Sequence, residues 1–378
     1  MAAKTIRVLV VDDSAVIREM IVDSIADSDG MELAASVASG KEALSLLDQL
    51  CPDVVTLDIQ MPEMDGLQVL DEILKRVPMP VIMVSSLTQR AADVTLQALG
   101  RGALDYVAKP GNISTGKGDW RDELIRKIRT SAPTSVRNVL QIRKDRQRRM
   151  AARRPETATA SATASSSDGT FIDSCITIGI STGGPPALTS LLSSLKPPLP
   201  PILLVQHMPG AFTESFASRL NSISRLTVTE AKAGHVLRPN HVFVAPGGQH
   251  LHLLRQGDKV QVRIRGGALV SGHMPSADVL MQSAAGVFSA RCLGVIMTGM
   301  GHDGVAGCAA IRAAGGFVLG QDEGSSDVYG MNKVAFTSGH VDRQWSLGEL
   351  SRVIPRQCRK IRGKSGGWGK GGDLGGRR

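Results

Sequence analysis

The sequence predicts two α/β units in series, each built on a parallel sheet, and three observations carry that reading. Residues 1–130 alternate short apolar runs with helix-period stretches, and residues 171–354 repeat the alternation, which is the pattern of successive strand and helix crossovers. Between them, the run from Pro155 to Ser167 is almost wholly Ala, Ser and Thr, too poor in large apolar side chains to pack. A chain of 378 residues with 42% hydrophobic content is long enough for two cores.

In the first unit, strands are expected at 6–11, 33–37, 54–57, 81–84 and 106–108. Helices are expected at 15–26, 41–49, 66–75, 90–100 and 121–128. Five such repeats imply a doubly wound sheet in the order 2-1-3-4-5. Residues 131–170 read as a basic, Ala/Ser/Thr-rich linker that opens with a helical extension at 135–150. In the second unit, strands are expected at 176–180, 202–205, 242–245, 251–254, 260–264, 294–297 and 317–319, with a β-hairpin around Gly257-Asp258 added to the sheet. Its helices are expected at 186–195, 213–222, 277–288, 305–314 and 328–338. Residues 355–378 read as a disordered, basic, Gly-rich tail.

The formal charge of +9 is concentrated outside the two units. Segments 137–154 and 356–378 together carry +14, which leaves −5 for the rest. With aromatic residues at only 3%, nucleic-acid binding is disfavoured as the main function. The Arg-rich stretch reads most simply as a solvated spacer. Five cysteines without CxxC or Cys/His spacing read as reduced thiols. The absence of a signal-like start or a long apolar run leads to the expectation of a cytoplasmic protein with no membrane insertion.

In the first unit, Asp12 and Asp13 follow strand one and Asp58 follows strand three. In a 2-1-3-4-5 sheet these strands are neighbours, so three carboxylates converge and invite a hard cation such as Mg²⁺. Lys109 and Ser85, after strands five and four, can serve a phosphoryl group. The stretches Val11-Asp12-Asp13-Ser14, Leu57-Asp58 through Asp65-Gly66, Val84-Ser85-Ser86 and Tyr106-Val107-Ala108-Lys109-Pro110 resemble the receiver domains of two-component response regulators. The resemblance implies a flavodoxin-like receiver in which Asp58 accepts a phosphoryl group from a histidine kinase. It places Asp12 and Asp13 on Mg²⁺ and makes Ser85, Tyr106 and Lys109 switch or phosphate-contacting residues.

In the second unit, Gly179-Ile180-Ser181-Thr182-Gly183 ends a β-branched strand in a serine followed by glycines, which presents a nucleophile on a tight turn. The chain order Ser181, His207, Asp303 is not that of α/β-hydrolases, but a triad is defined by geometry and roles. His207 ends an apolar run, and Asp303 lies in a Gly-rich loop beyond a third strand. Of the other histidines, His235, His241, His250, His252, His273 and His340 are expected as structural residues in or beside turns, and His302 as solvated.

Residues 176–354 resemble the catalytic domain of the CheB family of chemotaxis protein-glutamate methylesterases. The matching stretches are Gly179 to Pro185, Val205-Gln206-His207-Met208-Pro209, Val244 to His250, Pro275 to Leu280, Thr298 to Gly304 and Gln321-Asp322-Glu323. The departures are Asn332, where proline usually follows Tyr329-Gly330-Met331, and Asn240 in place of a common turn glycine. The resemblance implies Ser-His-Asp hydrolysis of methyl esters on glutamates of methyl-accepting chemotaxis receptors, and deamidation of receptor glutamines, with no cofactor for the hydrolytic step. Backbone N–H groups at Thr182 and Met300 are the candidate oxyanion donors. Two other classes are weighed against this reading: a silent receiver-linked binding module, and a regulator of nucleic acid. The second is disfavoured by an output of nearly 180 α/β residues with no short helical reader. The resemblance also suggests that the unphosphorylated receiver covers the Ser181 crevice.

Overall fold

The computed structural model describes residues 4–110, 117–151 and 173–363. The Ala/Ser/Thr-rich run after Pro155 and the tail from Lys364 onward lie outside them.

The first sheet is wholly parallel, in the order β2-β1-β3-β4-β5, from β1 (Ile6–Val11), β2 (Met31–Val37), β3 (Val54–Asp58), β4 (Val81–Ser85) and β5 (Asp105–Ala108). The strands alternate with α1 (Ala15–Ala26), α2 (Gly40–Leu50), α3 (Gly66–Arg76), α4 (Gln89–Arg101) and α5 (Lys117–Ser131). Every residue of β3 and β4 is buried, as expected where helices cover both faces of a parallel sheet. Side-chain caps start several of these helices, with a full capping box between Asp65 and Gln68 at α3. Helix α6 (Val136–Ala151) then leads away.

The second sheet has seven strands in the order β14-β13-β12-β6-β7-β9-β8, all parallel. Its chain order begins β6 (Cys175–Ile180), α7 (Gly184–Ser194), β7 (Ile202–Gln206), α8 (Gly210–Ile223), β8 (Thr227–Glu230), β9 (His241–Val244). It continues through β10 (His250–Gln256), β11 (Lys259–Arg265), α9 (Ala277–Phe288), β12 (Cys292–Ile296), α10 (Val305–Ala313), β13 (Phe317–Gln321), α11 (Met331–Thr337), β14 (Arg343–Trp345) and α12 (Leu347–Gly363).

Four details differ from expectation. The hairpin β10-β11 is a separate antiparallel pair rather than an addition to the sheet; Leu251, Leu253, Val260 and Val262 bury one face of it. Strands β8 and β14 are short edge strands of mixed polarity, so no apolar run announces them. Residues 355–363, assigned above to a tail, continue α12 through Pro355, because Ile354, Cys358 and Ile361 repeat at helical spacing and are buried. The helical extension expected at 135–150 forms as α6, but within this stretch, read as a solvated spacer, Arg143 is buried: its guanidinium donates to the Leu99 carbonyl at 2.8 Å and to Asp327 Oδ2 at 2.6 and 3.0 Å.

The two sheets are not independent bodies. Helix α4 lies across α7 and α8, and one apolar core runs from Ala92, Leu96 and Leu99 into Leu188, Leu191, Phe212 and Phe216.

Candidate functional site

Strand β6 lies at the centre of the second sheet, with β12 on one side and β7 on the other. Ile178 is in register with both Val295 and Leu204. The residues that leave the carboxyl ends of these three neighbours are Ser181, Asp303 and His207, so topology alone gathers them. Ser181 is pinned by its amide, which donates to the Thr298 carbonyl at 3.0 Å. The glycines that follow are required here. Gly183 has φ +77° and a Cβ on it would run into Asp327, while one on Gly184 would overlap Gln206 Oε1. Across the turn, a Cβ on Gly299 would sit 2.8 Å from Ser181 Cβ, so only glycine lets the β12 loop pass so close.

Asp303 is fully buried and saturated with donors. His207 Nε2 lies 2.7 Å from Oδ2, the amides of Ala277 and Asp278 donate at 2.6 and 3.1 Å, and Ser276 Oγ donates at 2.7 Å. Three of these donors form the first turn of α9, where unpaired N–H groups and the helix dipole favour an anion. Burial pushes the carboxyl upward, but His207 and the α9 donors outweigh it and hold Asp303 well below the usual carboxylate range. With Nε2 facing Asp303, His207 Nδ1 is buried and has no hydrogen-bond partner among the described residues. No bond joins Ser181 Oγ to His207 in this state.

Sequence reasoning missed His273. Its ring stacks on His207 with centroids 3.7 Å apart and planes within 13°. It is tied to the Ser271 carbonyl through Nδ1 at 2.8 Å. Burial, then the neighbouring His207, push its pKa down to about 3, so it stays neutral. Only the loop geometry at Ser271 and Gly272, both with positive φ, turns it inward, and no local pattern signals that. His207, His273 and Asp303 come close enough to suggest a metal, yet the parallel ring planes keep the two imidazole lone pairs from converging.

The candidate oxyanion donors behave differently in their side chains. The Thr182 hydroxyl donates to Asp105 Oδ2 of β5. The Met300 sulfur contacts Arg126 and Thr130 of α5. Among the described residues, neither the Thr182 nor the Met300 amide has an intramolecular acceptor. Asn332 and Asn240, the two departures from the family pattern, are both accommodated. Asn332 Nδ2 donates at 2.8 Å to the Gln321 carbonyl and to Ser326 Oγ, and Asn240 adopts φ +61° while its Oδ1 accepts from the Leu199 amide.

In the first sheet, Asp12, Asp13 and Asp58 meet at the ends of β1 and β3, with carboxylate oxygens within 4.8 Å of one another. Lys109 Nζ reaches Asp12 Oδ2 at 2.9 Å and Asp58 Oδ1 at 3.0 Å. Burial and then the charge of Asp12 push Asp58 up to about 6, against the pull of Lys109. Asp58 Oδ2 is buried without a partner. An anionic pocket with an orphaned carboxylate oxygen and one exposed acid fits a hard divalent cation. Ser85 Oγ accepts from Thr95 Oγ1 at 2.8 Å.

Strand β5 connects the two sites, since its Asp105 and Tyr106 line the Ser181 crevice and Lys109 follows its last residue. The crevice over Ser181, about 610 Å³, is lined on one side by Ser181, Thr182 and His207, and on the other by Asp105, Tyr106 and Arg126. The Tyr106 ring lies 5.1 Å from that of Phe212, and Ser181 is only 7% exposed.

Both parts of the chain match known proteins. Residues 176–354 match the family model described as CheB methylesterase, and residues 8–117 match the response regulator receiver domain. The chain is 42% identical over 355 residues to "Protein-glutamate methylesterase/protein-glutamine glutaminase 1" of Geobacter metallireducens, covering 94% of this chain and 96% of that one. The chain belongs to the CheB methylesterase family. Another family member, from Paraburkholderia xenovorans, is 41% identical over 350 residues, covering 92% and 95%. The crystal structure of the Thermotoga maritima CheB methylesterase catalytic domain is 35% identical and covers 48% of this chain and 97% of that chain, with a TM-score of 0.48.

Proposed function

We propose that this CheB-family chain is a cytoplasmic hydrolase, controlled by phosphorylation, that removes methyl esters from glutamate side chains of methyl-accepting chemotaxis receptors and deamidates receptor glutamines. The observation that carries the reading is the delivery of Ser181, His207 and Asp303 by three adjacent parallel strands, with the acid saturated by α9. Among the described residues no helix is long and apolar enough to cross a membrane.

In the proposed reaction, His207 carries its Nε2 proton toward Asp303, which leaves the Nδ1 lone pair as the base. Nδ1 takes the Ser181 hydroxyl proton as Oγ bonds to the γ-carbonyl carbon. The oxyanion takes up the amides of Thr182 and Met300, each such donor being worth about 3 kcal/mol. Collapse expels methanol, or ammonia from glutamine, with the proton returned from Nδ1. Water then attacks the acyl-serine by the same base and releases the glutamate acid. Asp303 holds the ring and balances the imidazolium.

Control would come from Asp58 as the phosphoacceptor for a chemotaxis histidine kinase. Asp12, Asp13 and Asp58 would hold Mg²⁺, which supplies charge neutralisation for the incoming phosphoryl group. Lys109 and Ser85 would bind that group's oxygens. Both residues adjoin β4 and β5, and β5 carries Asp105 and Tyr106 into the covered crevice, so drawing Lys109 and Ser85 toward a new anion strains the docked arrangement. Each tenfold change in activity needs only about 1.4 kcal/mol between docked and open states.

Release of methanol from methylated receptor membranes, with and without a small-molecule phosphodonor plus Mg²⁺, tests the reading. Donor-stimulated release that is lost in Ser181→Ala is expected. Release that survives Ser181→Ala overturns the assignment of the nucleophile.

A further inference from the structure

A second cavity, larger than the Ser181 crevice, lies beside β13 and β14 at one edge of the second sheet. Helix α12 presents Val353, Arg356, Gln357, Lys360 and Ile361, spaced i, i+3, i+4, i+7 and i+8, so they form one face. That face stands opposite the sheet surface made by Phe317 and Leu319 of β13 and Arg343 and Trp345 of β14. Between them lies a cavity of about 910 Å³, also bordered by Arg291.

Four cations, Arg291, Arg343, Arg356 and Lys360, surround this space and no carboxylate lines it. Among the described residues none of the four enters an ion pair, although arginines nearby on the same surface do: Arg312 pairs with Asp342 and Arg362 with Asp173. The floor is apolar and aromatic, since Phe317, Trp345 and Val353 pack onto the main core. The Trp345 indole N–H is buried with no acceptor, and an unpaired buried donor costs stability unless something supplies the acceptor. Arg291 precedes β12 and Phe317 begins β13, so the cavity borders the amino ends of two neighbouring strands, of which β12 leads to Asp303 beyond its opposite end.

We propose that this groove is a nucleotide-binding site, with the base against Trp345 and Phe317 and the phosphates on Arg291, Arg343, Arg356 and Lys360. A bare phosphate would use the cations and leave the aromatic floor idle, whereas a neutral aromatic ligand would use the floor and leave four repelling charges together. A nucleotide answers both halves, and the volume lies within the range of small-molecule sites. Arginine forks match phosphate oxygens in pairs, and indole faces stack on bases. The chain's own last segment is a poor occupant, since Lys364, Lys370, Arg377 and Arg378 against Asp373 would add to the positive charge.

The test is titration of the full chain with ATP in EDTA, followed by calorimetry and tryptophan fluorescence; chelation keeps the aspartate pocket of the first sheet from holding nucleotide through a metal. One-to-one binding is expected, weakened at least tenfold in the double variant Arg356→Glu/Lys360→Glu and in Trp345→Leu, while methanol release by the charge variant stays as in the parent. Both charge positions are exposed on α12, so the variant is expected to fold. Inorganic phosphate at matched ionic strength should bind at least tenfold more weakly. The proposal is overturned by any of four results: no ATP binding at millimolar concentration, binding indifferent to the charge reversal, inorganic phosphate binding as tightly as ATP, or a hexaglutamate peptide binding more tightly than ATP.

Discussion

Asp58 closes strand β3 and Asp303 lies in the loop after β12; both are buried aspartates at or beyond the carboxyl ends of parallel strands, and the fold drives them in opposite directions. Asp303 meets two backbone amides, a hydroxyl and an imidazole, and is held as an anion. Asp58 meets Asp12, has one oxygen without a partner, and is pushed up to about 6. The difference is in what surrounds the carboxylate rather than in how deeply it lies. Under the proposed function, the saturated carboxylate would serve as a fixed anion behind His207, whereas the under-satisfied one would change its charge by taking a metal and a phosphoryl group.

The sharpest way to break this contrast is at the triad. Ser181→Ala should lower methanol release by about 10³-fold or more, with His207→Ala similar and the double variant hardly worse, because the residues act as a unit. Asp303→Asn should lose less activity than either, yet it should also lower the unfolding midpoint. Its amide NH₂ would be set against donors that now face a carboxylate. An Asp303→Asn protein as stable as the parent would show that the α9 donors do not depend on the anion.

Asp58→Asn should do the reverse. Because the folded state raises this pKa, ionisation of Asp58 opposes folding above about pH 6, and the penalty fades as pH falls through 6 toward the unfolded value. Without Mg²⁺, the variant should therefore be more stable than the parent at pH 7.5, and the gap should shrink to about a third at pH 4.5, as read by urea unfolding at the two pH values. It should also keep basal methanol release and lose stimulation by the phosphodonor. Equal stability at pH 7.5 would mean that Lys109 already neutralises the pocket.

A smaller effect is expected at the seam. Arg143→Met should raise basal methanol release several-fold and reduce the ratio of stimulated to basal activity, since it removes a buried pairing with Asp327 and a bond to Leu99. Unchanged basal release would show that α4 on α7 and α8 holds the crevice shut without α6.

These contrasts also mark where the sequence was readable. The order of the first sheet, the three strand ends of the second and the glycines after Ser181 were legible because periodicity and turn chemistry are local. Asn240 in a left-handed turn follows the same logic. His273 was not legible, since its place on His207 depends on a loop folding back from a distant segment. The mixed edge strands β8 and β14 lack the apolar run that marks a buried strand. Arg143 looked like one more solvated arginine in a charged stretch, because its partners lie 44 and 184 residues away, and burial of a charge is decided by tertiary neighbours rather than by composition.

Arg143 has a further consequence for the manner of opening. Its guanidinium is shared: one edge is bonded to a carbonyl of α4 and the other to Asp327 beside the Ser181 turn. If the halves part, α6 must leave with one of them, and whichever it leaves has lost a partner deep in the protein. Half-open states therefore carry an exposed seam and a broken charge pair at once, and water must reach both before either is relieved. A joint of that kind opens as a snap rather than as a slow yawn, so receptor modification in a population of molecules should read as the fraction of them open rather than as a graded speed in each.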